Sequence, residues 1–263
     1  MTKVLIISMQ SAHERRAFQT RQARRLGFAF DFVDGVDAAS LDRQACQRGA
    51  DRWPSPTPIG DIACFHAHRG AWGIAGAASD NVVILEDDVV LENGFTRFID
   101  RIDRIALGRH LLDLEYAPGR HFLSRRSVMP EISEADFQAF RIFQNRVGLA
   151  AYAGAPRTFA KLASHFPDYP GLIDVVVWNR NDIRPLQIEP ALAVQKRFLV
   201  DTAADAFVRP ADQTVFHPRN PVRRMVERLK LEALKGRNLV RTWLHGGVSR
   251  DVLIRRDRFR LSP

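Results

Sequence analysis

The stretch VVILEDDVVL, residues 82 to 91, sets three carboxylates in a row, Glu86, Asp87 and Asp88, between two runs of residues that prefer burial. Like charges this close raise one another's pKa values and resist burial unless a cation or a set of donors compensates them. On extended backbone, alternation points Glu86 and Asp88 to one side and Asp87 to the other, so two carboxylates converge on one spot. A hard divalent cation, Mn²⁺ or Mg²⁺, prefers oxygen ligands and keeps a substrate's phosphates in its shell, so a diphosphate-bearing substrate would complete such a site. An acidic turn in solvent, or one capping a helix, has the same composition, and spacing alone leaves both readings open.

The elements that would position these acids alternate between strand and helix. KVLIIS at 3 to 8 is a short continuous apolar run, as expected of a central parallel strand covered on both faces. Ser11 and Glu14 have capping-box spacing, Ala17, Phe18, Ala23 and Leu26 give an apolar stripe, and Gly27 is a stop. Phe28, Phe30 and Phe32 alternate as a second strand, completing a βαβ unit with a right-handed crossover. DRWPSPTPIG, 51 to 60, is a proline-rich loop of the kind that faces substrate, and residues 60 to 79 have helical spacing. VVIL is then a buried strand, and ligands of open α/β sheets bind beyond the carboxyl ends of strands, where the acids emerge. The class expected is α/β with a mostly parallel sheet.

The 263 residues are 46% hydrophobic, ordinary for a folded core. No apolar run approaches the roughly 18 residues of a membrane span, and VLII is too short for a secretory signal, so a cytoplasmic location is expected. Cys46 and Cys64 are expected as reduced, packed thiols. The net charge is +9, and residues 219 to 263 hold thirteen Lys or Arg against four Asp or Glu, so residues 1 to 218 are neutral. This divides the chain into a catalytic-domain candidate, 1 to 218, and a basic helical tail, 219 to 263. In the tail Val222, Met225, Val226, Leu229 and Ala233 recur at helical spacing, with Arg223, Arg224, Arg228 and Lys230 mostly elsewhere on the wheel. Such a helix attaches to an anionic membrane surface or packs on the domain with a solvated basic face. Nucleic acid ranks third, because stacking aromatics are missing apart from Trp243.

ILEDDV resembles the acidic motif of nucleotide-sugar-dependent glycosyltransferases, and its surroundings resemble glycosyltransferase family 25, which includes lipooligosaccharide and collagen galactosyltransferases. IISMQSAHERR at 6 to 16, GDIACFHAH at 60 to 68 with Trp72, DLEY at 113 to 116, GLAAYAGAPRTFAKL at 148 to 162, Ile173-Asp174 and EPALAVQ at 189 to 195 are similar to the family's segments in the same order. Ala67-His68 stands where the family has Ser-His, and AYAGAP around Tyr152 is shorter than the family's apolar strand, which bears on the acceptor side. The resemblance implies a glycosyltransferase A fold, a Rossmann-like mixed sheet.

It also implies an activity: metal-dependent transfer, with inversion, of a hexose, galactose from UDP-galactose being the leading case, to a lipopolysaccharide or lipooligosaccharide core acceptor carried on lipid. Asp88 and Glu86 are then the expected metal ligands, with His217 as a late one, and Asp87 lies nearer the ribose or sugar of the donor. Ser8, Arg15 and Arg16 are expected near uridine or phosphate oxygens, since a helix N-terminus favours anions; for either arginine a solvated helix face is the plainer alternative. Asp174 is the leading base for the acceptor hydroxyl and Glu115 the second. The plain alternatives are a helix N-cap for Asp174 and an exposed strand position for Glu115. His68 is expected to be packed behind the ligands rather than among them, and the resemblance alone gives Gln195 a part in orienting backbone or donor groups. The basic tail would hold such an enzyme at the inner face of the cytoplasmic membrane. The competing class is a non-enzymatic membrane or nucleic-acid binder that uses the tail.

Overall fold

The computed structural model describes residues 1–132, 136–144, 148–166, 168–199 and 213–260. The apolar run at the start forms β1 (Lys3–Ser8), buried from Val4 onward. It is followed by α1 (His13–Leu26), which Gly27 ends in the left-handed conformation at φ 77° that its missing Cβ permits. The capping box is not formed. The chain enters α1 through a backbone turn, Ala12 N–H to Met9 O at 2.9 Å, which makes Ala12 the N-cap and leaves Ser11 exposed ahead of it. The next strand, β2 (Asp31–Asp34), takes in only Phe32 of the three alternating phenylalanines. Phe28 spends its N–H on Ala23 O at the helix end, and its ring meets Phe95 edge-on.

The proline-rich loop lies between α2 (Arg43–Ala50) and a short β3 (Thr57–Pro58) that leads straight into α3 (Ile59–Gly76). Then come β4 (Val82–Glu86), β5 (Val89–Leu91), α4 (Phe95–Asp103), β6 (His110–Asp113), β7 (Glu115–Tyr116), β8 (His121–Leu123) and β9 (Gln138–Gln144). The remaining elements are β10 (Ala151–Gly154), α5 (Pro156–His165), α6 (Ile173–Trp178), β11 (Arg184–Glu189), β12 (Ala193–Gln195), β13 (Val215–Phe216), α7 (Pro221–Leu244) and β14 (Val248–Arg250).

Nine strands make one sheet in the order β14-β8-β9-β11-β6-β10-β4-β1-β2. The sheet is mixed: β1 runs parallel to β2 and to β4, and β6 to β11, while β10 enters antiparallel between β4 and β6. Helices cover both faces, the α/β class expected from the sequence, and the arrangement is consistent with a glycosyltransferase A-like Rossmann fold. Alternate residues of β1 and β4 serve opposite cores. Leu5, Ile7, Val82 and Ile84 join Phe65 and Trp72 of α3, while Val4, Ile6, Val83 and Leu85 join Phe95 and Phe98 of α4. Burial on both faces is why these strands are apolar runs instead of alternating ones.

A second sheet, β5-β12-β7, lies beyond the end of β4. Since β4 ends at Glu86 and β5 begins at Val89, Asp87 and Asp88 form the two-residue hinge that carries the chain from one sheet to the other.

Residues after 218 are built into this body. Helix α7 packs along β9, Asn238 donates to Asn179 Oδ1 at 2.6 Å, and β14 pairs with β8 at the edge of the large sheet. Helices α3 and α5 approach so closely that a Cβ on Gly76 would lie 2.9 Å from the Cα and N of Ala160. Backbone cannot yield there, so Gly76→Ala is expected to cost about 1–3 kcal/mol in urea unfolding. Gly70→Ala, on the same helix with open space around it, should be neutral or gain up to about 1 kcal/mol.

Candidate functional site

Glu86, at the last position of β4, turns toward α3. Cys64 and His68 stand one helical turn apart on that helix and share a face. His68 Nε2 is 3.1 Å from Glu86 Oε1, its Nδ1 is 2.9 Å from the Tyr152 hydroxyl, and Trp72 Nε1 donates to that hydroxyl at 2.8 Å. An indole N–H only donates, so the Tyr152 oxygen accepts there and its own proton goes to His68 Nδ1. The imidazole therefore presents Nε2–H to Glu86. Burial acts to raise the pKa of Glu86, but the hydrogen bond from His68, aided by the charges of Arg197 and Arg15, holds it below the usual value, so Glu86 is ionised. His68, Tyr152 and Trp72 are all buried, and His68 stands behind Glu86 as expected.

Asp87 turns the opposite way, as strand alternation requires. Ser8 Oγ donates to its Oδ2 at 2.6 Å and Arg15 Nη1 to its Oδ1 at 2.8 Å. Ser8 and Arg15, expected near the donor, thus neutralise and fix this carboxylate. Two glutamines on α1, both fully buried, hold the backbone that follows: Gln19 donates to Asp87 O and Val89 O, and Gln22 donates to Val89 O and accepts from Leu91 N–H. Arg16 turns elsewhere, donating to Met9 O, Ser8 O and Asp34 Oδ1 while stacking over Phe32. Its guanidinium closes the ends of β1 and β2 and is not directed at the acids.

Asp88 has no such partners. Its backbone oxygen accepts from Lys196 N–H at 2.9 Å, yet its Oδ1 is buried without a hydrogen bond among the described residues. Burial, then the neighbouring Glu86 charge, push its pKa up to about 7, against the pull of Arg15 and Arg197. Gln195, at the end of β12, lies opposite Val89 in the small sheet. Its amide is 3.4 Å from Glu86 Oε2 and its oxygen accepts from Arg197 at 2.6 Å, so Gln195 orients Glu86 and Arg197 together.

Asp174 lies in the first turn of α6, inside the helix rather than at its N-cap, which is Leu172. Burial raises its pKa to about 6, with Asp61 and Glu86 adding to the effect and the Val175 N–H, 2.8 Å from Oδ1, opposing it. Glu115 is not an exposed strand residue: it is 2% exposed, takes Ala150 N–H on Oε2 at 2.9 Å and leaves Oε1 buried without a partner. Burial, then Asp113, raise its pKa well above the usual range. His217 is exposed, and its carbonyl accepts from Gln47 on α2 at 2.8 Å. It takes no part in the group formed around Glu86.

Two members of that group went unread in the sequence, Asp61 and Cys64. Burial raises both, and the thiol of Cys64 is raised further by Glu86, Asp61, Asp174 and Asp88 in that order, which places four carboxylates around one sulfur. The signal was there as Asp61, Cys64 and His68 at i, i+3 and i+7 on one helix face.

Do these residues suit a cation? Ligand atoms of Cys64, His68 and Glu86 lie within 4.8 Å of one another, a mixed set that favours Zn²⁺. Asp88, with a buried oxygen lacking a donor, and Glu86, ionised beside it, are the oxygen ligands that suit Mn²⁺ or Mg²⁺. Among the described residues the ligand atoms that come together are those of Cys64, His68 and Glu86, and Asp88 is not in that group.

A helix-flanked mixed sheet whose central strand ends in clustered acids is consistent with the glycosyltransferase A class. The chain matches the model of the family described as "Glycosyltransferase family 25 (LPS biosynthesis protein)" over residues 1–176, and it belongs to that family. Over 140 residues, 49% of this chain, it is 27% identical to the probable inactive glycosyltransferase 25 family member 3 of Rattus norvegicus. Over the same length it is 26% identical to the inactive glycosyltransferase 25 family member 3 of Mus musculus. The match takes in 23% of each of these relatives' length.

Two outcomes follow for the protein without added metal. Asp88 and Asp174 have raised folded-state pKa values of about 7 and about 6, so the folded state binds more protons than the unfolded chain from about pH 4 upward. Stability is therefore greatest at the acid side of that window and falls as pH rises through it, by on the order of 6 kcal/mol by pH 8. Asp88→Asn should flatten most of the slope in urea unfolding at pH 5 and 8, and Mn²⁺ should stabilise the wild type more at pH 8. Glu115→Gln, which keeps the Ala150 hydrogen bond, should change stability by less than about 1 kcal/mol, whereas Glu115→Ala should cost about 2–4 kcal/mol.

Proposed function

We propose that this protein is a metal-dependent, inverting hexosyltransferase that takes a sugar, galactose first among the candidates, from a UDP-sugar to a lipopolysaccharide or lipooligosaccharide core acceptor. The observation that carries this reading is the buried, unpartnered Oδ1 of Asp88 beside the ionised Glu86 at the hinge between two sheets. Membership of a family described as lipopolysaccharide biosynthesis proteins supports the acceptor class. Such acceptors are assembled at the inner face of the cytoplasmic membrane, where we expect the enzyme to work.

Glu86 and Asp88 would hold Mn²⁺ or Mg²⁺, which when bound supplies charge neutralisation to the departing diphosphate. Arg15 and Arg197, whose charges act on these acids, balance the site so that acids and an anionic donor can share it. Asp174 is the base. It is ionised above about pH 6 and takes the proton of the acceptor hydroxyl, whose oxygen forms the new bond to the anomeric carbon while the bond from that carbon to UDP breaks on the opposite face. Glu115 secures the Ala150 backbone, whose carbonyl takes Glu86 N–H at 2.7 Å.

The test is UDP release from a panel of UDP-sugars with Mn²⁺ and core oligosaccharide. Wild type should turn over, with kcat falling below about pH 6, and Asp88→Asn and Asp174→Asn should each lose about 100-fold or more. Release by Asp88→Asn equal to that of wild type would end the reading.

A further inference from the structure

Helix α7 turns its apolar stripe away from the protein. The side packed on the body carries Leu231, Leu234, Asn238 and Thr242, and the opposite side carries Val222, Met225, Leu229, Val240, Trp243 and Leu244. Several of these are among the most exposed large apolar side chains described: Val222 66%, Leu229 62%, Leu244 64% and Trp243 80%. At 3.6 residues per turn the stripe is ~100° wide and, over the helix, ~36 Å long. A contiguous apolar patch of that size on a soluble surface marks an interaction site. No described helix is long and apolar enough to cross a membrane, so the stripe is not part of a span.

The charges beside it identify the partner. Helix α7 holds seven Lys or Arg against two Glu, and both glutamates pair with lysines of the same helix, Glu227 with Lys230 and Glu232 with Lys235. Arg223 and Arg237 line one edge of the stripe. Arg224 and Arg228 line the other, with Arg224 also donating to Pro54 O at 3.1 Å. A second copy of the helix laid on the stripe would bring these like-charged flanks together, and nucleic acid would leave the apolar side chains in water. An anionic lipid surface satisfies both: headgroups meet the flanking cations while Trp243 and the leucines enter the acyl boundary.

We infer that α7 is a membrane-docking helix that lies in the plane of an anionic bilayer along the Val222–Leu244 stripe. The docked face is the one opposite β9, so binding requires no rearrangement of the fold. Docking of this kind does not depend on which sugar is transferred, and it accounts for the confinement of the whole net charge to residues after 218.

The full chain tests this. Of its four tryptophans, Trp53, Trp72 and Trp178 are buried at 7%, 0% and 3% exposure, so a change in water-accessible emission reports on Trp243. Phosphatidylcholine vesicles containing phosphatidylglycerol should sediment the protein and shift that emission to the blue. Phosphatidylcholine alone should do neither, and added salt should weaken binding. The double substitution Leu229→Ser, Trp243→Ser, at surface positions, should reduce partition by about tenfold or more, with unchanged circular dichroism and unchanged thermal stabilisation by UDP plus Mn²⁺. That last measurement reads the donor site separately, so a failed donor and a failed docking surface are told apart. The inference is overturned by absence of binding to anionic vesicles at low salt, by binding that the double substitution does not reduce, by a lipid-free dimer that shields Trp243, or by RNA binding tighter than vesicle binding.

Discussion

The structure depends on how three adjacent negative charges are tolerated at the point where one sheet hands the chain to another. Each acid meets a different solution. Asp87 is neutralised by Ser8 and Arg15, Glu86 is kept ionised by an imidazole whose tautomer is fixed from behind by Tyr152 and Trp72, and Asp88 is left without a donor. Desolvating a carboxylate without a partner costs more than a packed domain gains from most single contacts. The other two acids have their partners, and the third, Asp88, has a buried Oδ1 without a hydrogen bond among the described residues. Removing either support would spread the cost. Without the His68 relay, Glu86 and Asp88 would compete for one proton and the site would lose the charge that attracts a cation.

The apolar runs were legible because burial on both faces leaves a continuous signal, and so β1, β4 and α3 lie close to where periodicity puts them. The opposite directions of Glu86 and Asp87 also followed from strand alternation. What the sequence did not disclose were partnerships across the chain. Ser8 and Arg15 had the residue types of anion binders, but their neighbour in space is Asp87, 79 and 72 positions away. Arg16 is turned to Asp34 by the closing of β2 on β1. Gln19 and Gln22, polar residues in an apolar stripe, look like surface positions until the carbonyls they satisfy, on the strand after the acids, are known. The Ser11–Glu14 pattern was a true motif with no helix start to cap, because a backbone turn supplied the entry first.

The division at residue 218 followed charge, and charge is a surface property that need not coincide with the boundary of a core. The basic segment supplies an edge strand, β14, and a helix seated on β9, so in packing terms it belongs to the body even though eight of its thirteen cations are exposed. One side of helix α7 packs on the domain, and the other carries exposed apolar side chains.

The last part of that segment returns to the acids. Phe259 packs with Val90, Val194 and Phe18, Glu92 forms a bridge with Phe259, and Arg258 pairs with Glu92 at 3.2 Å. These contacts brace β5 and β12, the strands that begin at the acidic hinge and end at Gln195. Helix α7 and the acidic stretch after β4 are thereby joined through one short stretch of chain. The stiffness of the small sheet, only three strands wide and with little core of its own, comes from this brace. Orientation of the candidate site relative to a lipid surface is then set by covalent continuity and packing, so the acids would approach lipid-linked groups at a fixed attitude with no hinge between the docking helix and the chemistry.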